Sequence, residues 1–95
     1  MADEPVKIGN LILDSINKLG YAERLLKQNA VLRWPEIVGD IIAAESEAQR
    51  IDDDTLIVKV NKPAWRQQLS FIKADLLAKI NSQIGDGYIR DIRFI

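Results

Sequence analysis

Between Asp54 and Ile84 the apolar residues change their period from two to between three and four. Leu56, Val58 and Val60 alternate with Ile57 and Lys59, the pattern of a half-buried strand. Trp65, Leu69, Ile72, Leu76, Ile80 and Ile84 then recur along one face of a helix. Asn61-Lys62-Pro63 separates the two patterns, and Pro63 suits a first helical turn. A strand that passes through a short turn into a long amphipathic helix restricts the chain to folds in which that helix packs on the strand's sheet.

The flanking segments complete this unit. Upstream, Asp52-Asp53-Asp54-Thr55 reads as a tight hairpin turn, because aspartate tolerates the left-handed backbone such turns need. A two-residue loop at Asp53-Asp54 pairs Ile51 with Leu56, Arg50 with Ile57 and Ala48 with Lys59. A metal site is a second reading of the three aspartates, but the turn accounts for all of them. Downstream, Gly85-Asp86-Gly87 ends the helix, and Tyr88 to Ile95 alternates again, with Ile92 and Phe94 on one side and Asp91, Arg93 and Ile95 on the other. A crossover by the long helix lets this last strand join the hairpin in a mixed sheet.

Before the hairpin the chain is helical. Ile8, Leu11, Ile12, Ile16 and Leu19 have helical spacing, and Gly20 stands where a C-terminal cap glycine is expected. Ala22 to Val38 continues in helix-forming residues, but Pro35 disfavours helical geometry at Trp34. The expectation there is a kink, or a new helix with Pro35 in its first turn, and Gly39 is a second interruption. The expected architecture is α+β: helix, broken helix, strand, strand, helix, strand, with a three-stranded mixed sheet and helices on one face. Residues 1–6 are expected to be disordered and 7–95 to form a single domain.

Composition removes whole classes of function. The 95 residues include no cysteine and no histidine, so disulfides, cysteine zinc sites and histidine general bases are all ruled out. The serines lack a histidine partner, and the five glycines form no phosphate-binding loop. A non-enzymatic protein with no cofactor and no small-molecule substrate is expected. The net charge of −1 argues against a globally basic nucleic-acid binder. No apolar run approaches the roughly 20 residues of a membrane span, and the acidic start is unlike a signal peptide. The expected location is the cytoplasm, with no membrane partner.

Two surface features remain as candidate contacts. Arg50, Ile57, Lys59, Arg93 and Ile95 are expected on the open sheet face, a mixture of basic and apolar residues suited to nucleic acid or to protein. A plain solvated face is the third reading, and no aromatic residue is available there for stacking. Lys62, Arg66 and Lys73 are expected to share one edge of the long helix, which is also what any amphipathic helix shows. Trp34 and Trp65 are in phase with apolar stripes and read as core anchors. Oligomeric state is left open.

Five segments, in order, resemble one family. Trp34-Pro35-Glu36-Ile37-Val38-Gly39 is similar to its Trp-Pro-x-Ile/Val-Val-Gly signature, and Asp53-Asp54-Thr55-Leu56-Ile57-Val58 to its hairpin. Ala64-Trp65-Arg66-Gln67-Gln68-Leu69 is similar to its helix start. Leu76-Leu77-Ala78-Lys79-Ile80-Asn81 and Ile92-Arg93-Phe94 complete the series. The chain thus resembles the DciA family, with Trp34, Pro35, Gly39, Trp65, Leu69 and Phe94 as its structural motif. The resemblance implies a KH-like domain of bacterial proteins that help load a DnaB-type replicative helicase and are linked to DNA. Gln68 stands where an acidic residue is usual and Asp54 where a turn glycine is usual. The Gly-x-x-Gly loop with which KH domains grip a single strand is absent. With no further segment after Ile95, a minimal form with altered function is expected. An RNA-binding or ribosome-associated adaptor, and a pure protein-interaction module, are the alternatives.

Overall fold

The computed structural model describes residues 8–95, and side-chain surroundings from Gly20 onward. The expectation of a disordered 1–6 segment, and the apolar stripe from Ile8 to Leu19, lie outside the described residues and side chains.

Helix α1 (Ile8–Leu32) runs straight through Gly20, which is not a cap. Gly20 lacks a positive φ, and helix formers on both sides carry the helix past it. An interior glycine weakens a helix by only about 1 kcal/mol. The chain turns at Arg33, and α2 (Trp34–Val38) starts there with Pro35 in its first turn, where the missing N–H has no helical partner to lose. Gly39, at φ 91° and ψ 166°, then redirects the backbone into α3 (Asp40–Glu45).

Strands β1 (Ser46–Asp52) and β2 (Thr55–Val60) form the antiparallel hairpin, with Asp53 in the left-handed region at φ 61°. Ile51 pairs with Leu56 and Arg50 with Ile57, as expected, but Ala48 does not pair with Lys59. A bulge at Gln49 shifts the register, so that Ala48 pairs with Val58 and Glu47 with Lys59. The bulge follows from burial. Leu56, Val58 and Val60 all face the core, and only an extra residue brings Ala48 and Ser46 to the same face as Ile51.

The expected long helix is two helices, α4 (Pro63–Phe71) and α5 (Lys73–Ile84), meeting at Ile72. Ile72 leaves helical geometry at φ −107° and ψ 19°, and its N–H reaches back to the carbonyl of Leu69 at 3.2 Å. Leu69, Leu76, Ile80 and Ile84 are buried, so the apolar period survives the break. Strand β3 (Asp91–Phe94) lies parallel to β2 and completes a mixed sheet in the order β1-β2-β3.

The core fills one face of this α+β sheet. Trp34 is its largest member, 1% exposed, packed with Ala30, Leu56, Val58, Leu69, Leu76, Ile80 and Ile92. Its indole N–H donates to Ser46 Oγ at 3.0 Å, and that hydroxyl donates to the Ile42 carbonyl at 2.7 Å. The relay satisfies the Trp34 indole and the Ser46 hydroxyl and ties α2 to the α3–β1 junction. Trp65, Phe94 and Ile51 are half-buried against the core margin.

Candidate interaction face

The side of the sheet away from the core carries three rows of residues across the strands. Asp52, Thr55 and Asp91 form the row at the hairpin end, and Arg50, Ile57 and Arg93 the middle row. Glu47 and Lys59 form the third, which Ile95 extends, since its N–H and carbonyl bond Val58 and Val60 on either side of Lys59. Two carboxylates in one row thus lie next to two guanidinium groups in the following row.

The face differs from its sequence-based picture in two ways. Ile57 is not exposed: at 1% it is buried, although it stands apart from the core cluster. A central-strand residue with an arginine on each side loses its surface to their aliphatic stems. Arg50, Lys59 and Arg93 are exposed. The bulge brings Glu47 beside Lys59, and the face as a whole carries both signs in balance rather than a basic excess. Gln49 donates to Glu47 Oε1 at 3.1 Å and orients that carboxylate.

Lys62 and Lys73, two of the three helical cations, are each paired with a carboxylate. Lys62 precedes α4 as its cap residue, and its ammonium lies 3.6 Å from Glu45. Lys73 opens α5 and donates to Asp91 Oδ1 at 3.0 Å. This bond, aided by the Ile92 backbone N–H, holds the Asp91 carboxyl below its ordinary pKa of 3.8. Arg66 is half-buried on α4.

Sequence reasoning placed Asp91 on the side of Arg93 and Ile95 but missed Glu47, which the bulge brings beside Lys59, and the apolar surface at the helix break. Phe71 is 79% exposed and Ile72 partly so. Phe71 was detectable, because it falls outside the Leu69–Leu76–Ile80 stripe; the position of Glu47 was not, because nothing in the residue pattern marks the bulge.

A family model described as "Dna[CI] antecedent, DciA" matches residues 7–94. The chain belongs to the DciA family. Curated relatives agree in extent. A UPF0232 protein of Mycolicibacterium smegmatis is 29% identical over 99% of this chain, and one of Rhodococcus jostii is 30% identical over 95%. A third, from Streptomyces coelicolor, is 30% identical over 97%. The chain spans about half the length of these relatives, 48%, 48% and 50% respectively. The DciA motif residues are mostly scaffold in this chain: Trp34 and Leu69 are buried, Pro35 starts α2, and Gly39 has a backbone conformation that side chains disfavour.

Proposed function

We propose that this DciA-family chain is a non-enzymatic, cytoplasmic accessory factor in bacterial replication initiation, and that its outer sheet face contacts a DnaB-type replicative helicase. Family membership supports the helicase as partner. The observation that carries the choice of face is the row Arg50–Ile57–Arg93 between Asp52 and Asp91 on one side and Glu47 and Lys59 on the other. A surface with both signs in fixed rows suits a protein of complementary pattern, since opposed charges set register and reject wrong partners. Phosphate tracking calls for an excess of cations, which the balanced face lacks.

DNA is the second reading, favoured by the two exposed guanidinium groups of Arg50 and Arg93 on a single row. KH-type gripping of a single strand is not part of either reading. The junction of α4 and α5 reads Ser70-Phe71-Ile72-Lys73, without the glycines that let a backbone close on phosphates.

The test is to mix the purified chain with its host's DnaB-type helicase and, separately, with forked DNA at low salt. Binding to the helicase that persists as salt rises supports the first reading. Binding to DNA alone, falling steeply with salt, supports the second. No interaction with either at micromolar protein refutes both.

A further inference from the structure

Strand β1 lies at an edge of the sheet. In an antiparallel ladder, residues that bond the neighbouring strand alternate with residues whose backbone groups face away. The Asn61 N–H donates to the Glu45 carbonyl at 3.1 Å, which fixes the phase. Ser46 and Ala48 therefore turn their N–H and C=O groups to the free side. The two-residue loop closes on Asp52 and Thr55, so Ile51 does the same beyond the bulge. Among the described residues no backbone bond joins this edge to another element.

Helix α1 overhangs the same edge. Arg24, Lys27, Gln28, Val31 and Leu32 are spaced by alternate steps of three and one, so they share one helical face. Between this face and the hairpin lies a depression of about 370 Å³, bounded by Arg24, Lys27, Ile51 and Asp53. A second, of about 540 Å³, lies beside the start of β1, where Val31 and Leu32 face Ala43, Ala44 and Ala48. Leu32 is 70% exposed over it. The two depressions flank the strand edge in turn, with Arg24, Lys27 and Asp53 at the hairpin end, where the Lys27 ammonium donates to the Asp53 carbonyl at 3.0 Å, and small apolar side chains at the other.

From this we infer that the edge binds an extended peptide segment of a partner protein, which adds to β1 as a fourth strand. A free strand edge is matched by another backbone, and flanking pockets then select alternate side chains. The segment carries an acidic residue toward Arg24 and Lys27 and an apolar one against Leu32 and Ala44. The bulge at Gln49 and the overhang of α1 select a short single segment. A second copy of β1 would bring its own bulge and its own helix against the edge. This surface is separate from the outer sheet face, and the inference does not depend on which partner that face takes.

The experiment is a selection of random eight-residue peptides displayed on phage against the full chain, followed by synthesis of the enriched sequence. Its amide shifts are mapped on isotope-labelled protein. The expected peptide alternates apolar and polar residues, carries Asp or Glu at one end, and shifts amides centred on Ser46 to Ile51. Methylating alternate backbone nitrogens of the peptide weakens binding by roughly tenfold or more, the effect of one or two lost hydrogen bonds. Ala48→Pro, which removes an edge donor that the β1–β2 ladder does not use, weakens it similarly while the protein stays folded. If Ala48→Pro unfolds the protein, the methylated peptide decides alone. Four results overturn the inference: no enriched peptide, undiminished binding of the methylated peptide, shifts confined to other surfaces, or self-association that depends on Ala48 in place of peptide binding.

Discussion

Replacing Ser46 by alanine isolates the buried relay that joins α2 to the α3–β1 junction. The substitution removes the acceptor of the Trp34 indole N–H, which belongs to a residue only 1% exposed. It also removes the donor to the Ile42 carbonyl, which lies at the rim of the core and can be rehydrated. The dominant effect is therefore the orphaned indole N–H, and leaving a buried donor unsatisfied costs about 1–3 kcal/mol. For a chain of 95 residues the unfolding entropy is about 0.2 kcal/mol/K, so Tm should fall by roughly 5–15 °C. Urea unfolding followed by far-ultraviolet circular dichroism measures the change directly, and an unchanged m-value would place it in the native state. Trp34→Phe in the Ser46→Ala background completes a cycle. Because the first substitution has already broken the bond, the double variant should be more stable than the two single losses imply, by about 1 kcal/mol. A Ser46→Ala protein within a few tenths of a kcal/mol of the parent, or strictly additive losses, would refute the reasoning.

Three further outcomes follow from single positions. Gly39→Ala should destabilise by about 1–3 kcal/mol through backbone strain alone, because φ 91° disfavours a side chain while a Cβ there meets nothing within 4 Å; chemical denaturation measures it. Gly20→Ala should stabilise by about 0.5–1 kcal/mol and raise helical ellipticity, because α1 passes through an exposed glycine with open space around it. The Asp91 carboxyl is held below its ordinary pKa by Lys73, so its stabilising effect is full above the unfolded value, 3.8, and is lost as pH falls through the lower folded one. Asp91→Asn should therefore flatten the acid limb of stability below about pH 4 and leave the limb above pH 6 parallel to that of the parent, as read from urea midpoints across pH.

The fold was legible where one interaction dominates. The switch of period at Asn61-Lys62-Pro63 reported burial on β2 and on the helices after it, and Leu56, Val58, Leu69, Leu76 and Ile80 are all buried. Pro35 and Gly39 placed the interruptions on either side of α2 correctly, because each has a local steric meaning. Gly20 misled, because a helix continues through a glycine when the residues beyond it favour helix. The break at Ile72 was hidden, since a helix can be interrupted for one residue without losing its apolar phase. The bulge at Gln49 had no local signal. It is imposed by the need of β1 and β2 to bury one face together, and that tertiary demand changed Lys59's neighbour from Ala48 to Glu47. The candidate face inherited this error: its cations and Asp91 were placed on the right side, Glu47 was not brought beside Lys59, and Ile57 was placed on the right side of the sheet but proved buried.

Charge reversal on the outer sheet face tests the proposed helicase contact directly. Arg50, Lys59 and Arg93 are exposed, so reversing all three to glutamate leaves the core intact. Affinity for the purified DnaB-type helicase is then compared between this variant and the parent by sedimentation or anisotropy, over a range of salt. Loss of affinity by about tenfold or more, with a smaller salt dependence in what remains, is the predicted result. Unchanged affinity and unchanged salt dependence in a folded variant would contradict the assignment of this face.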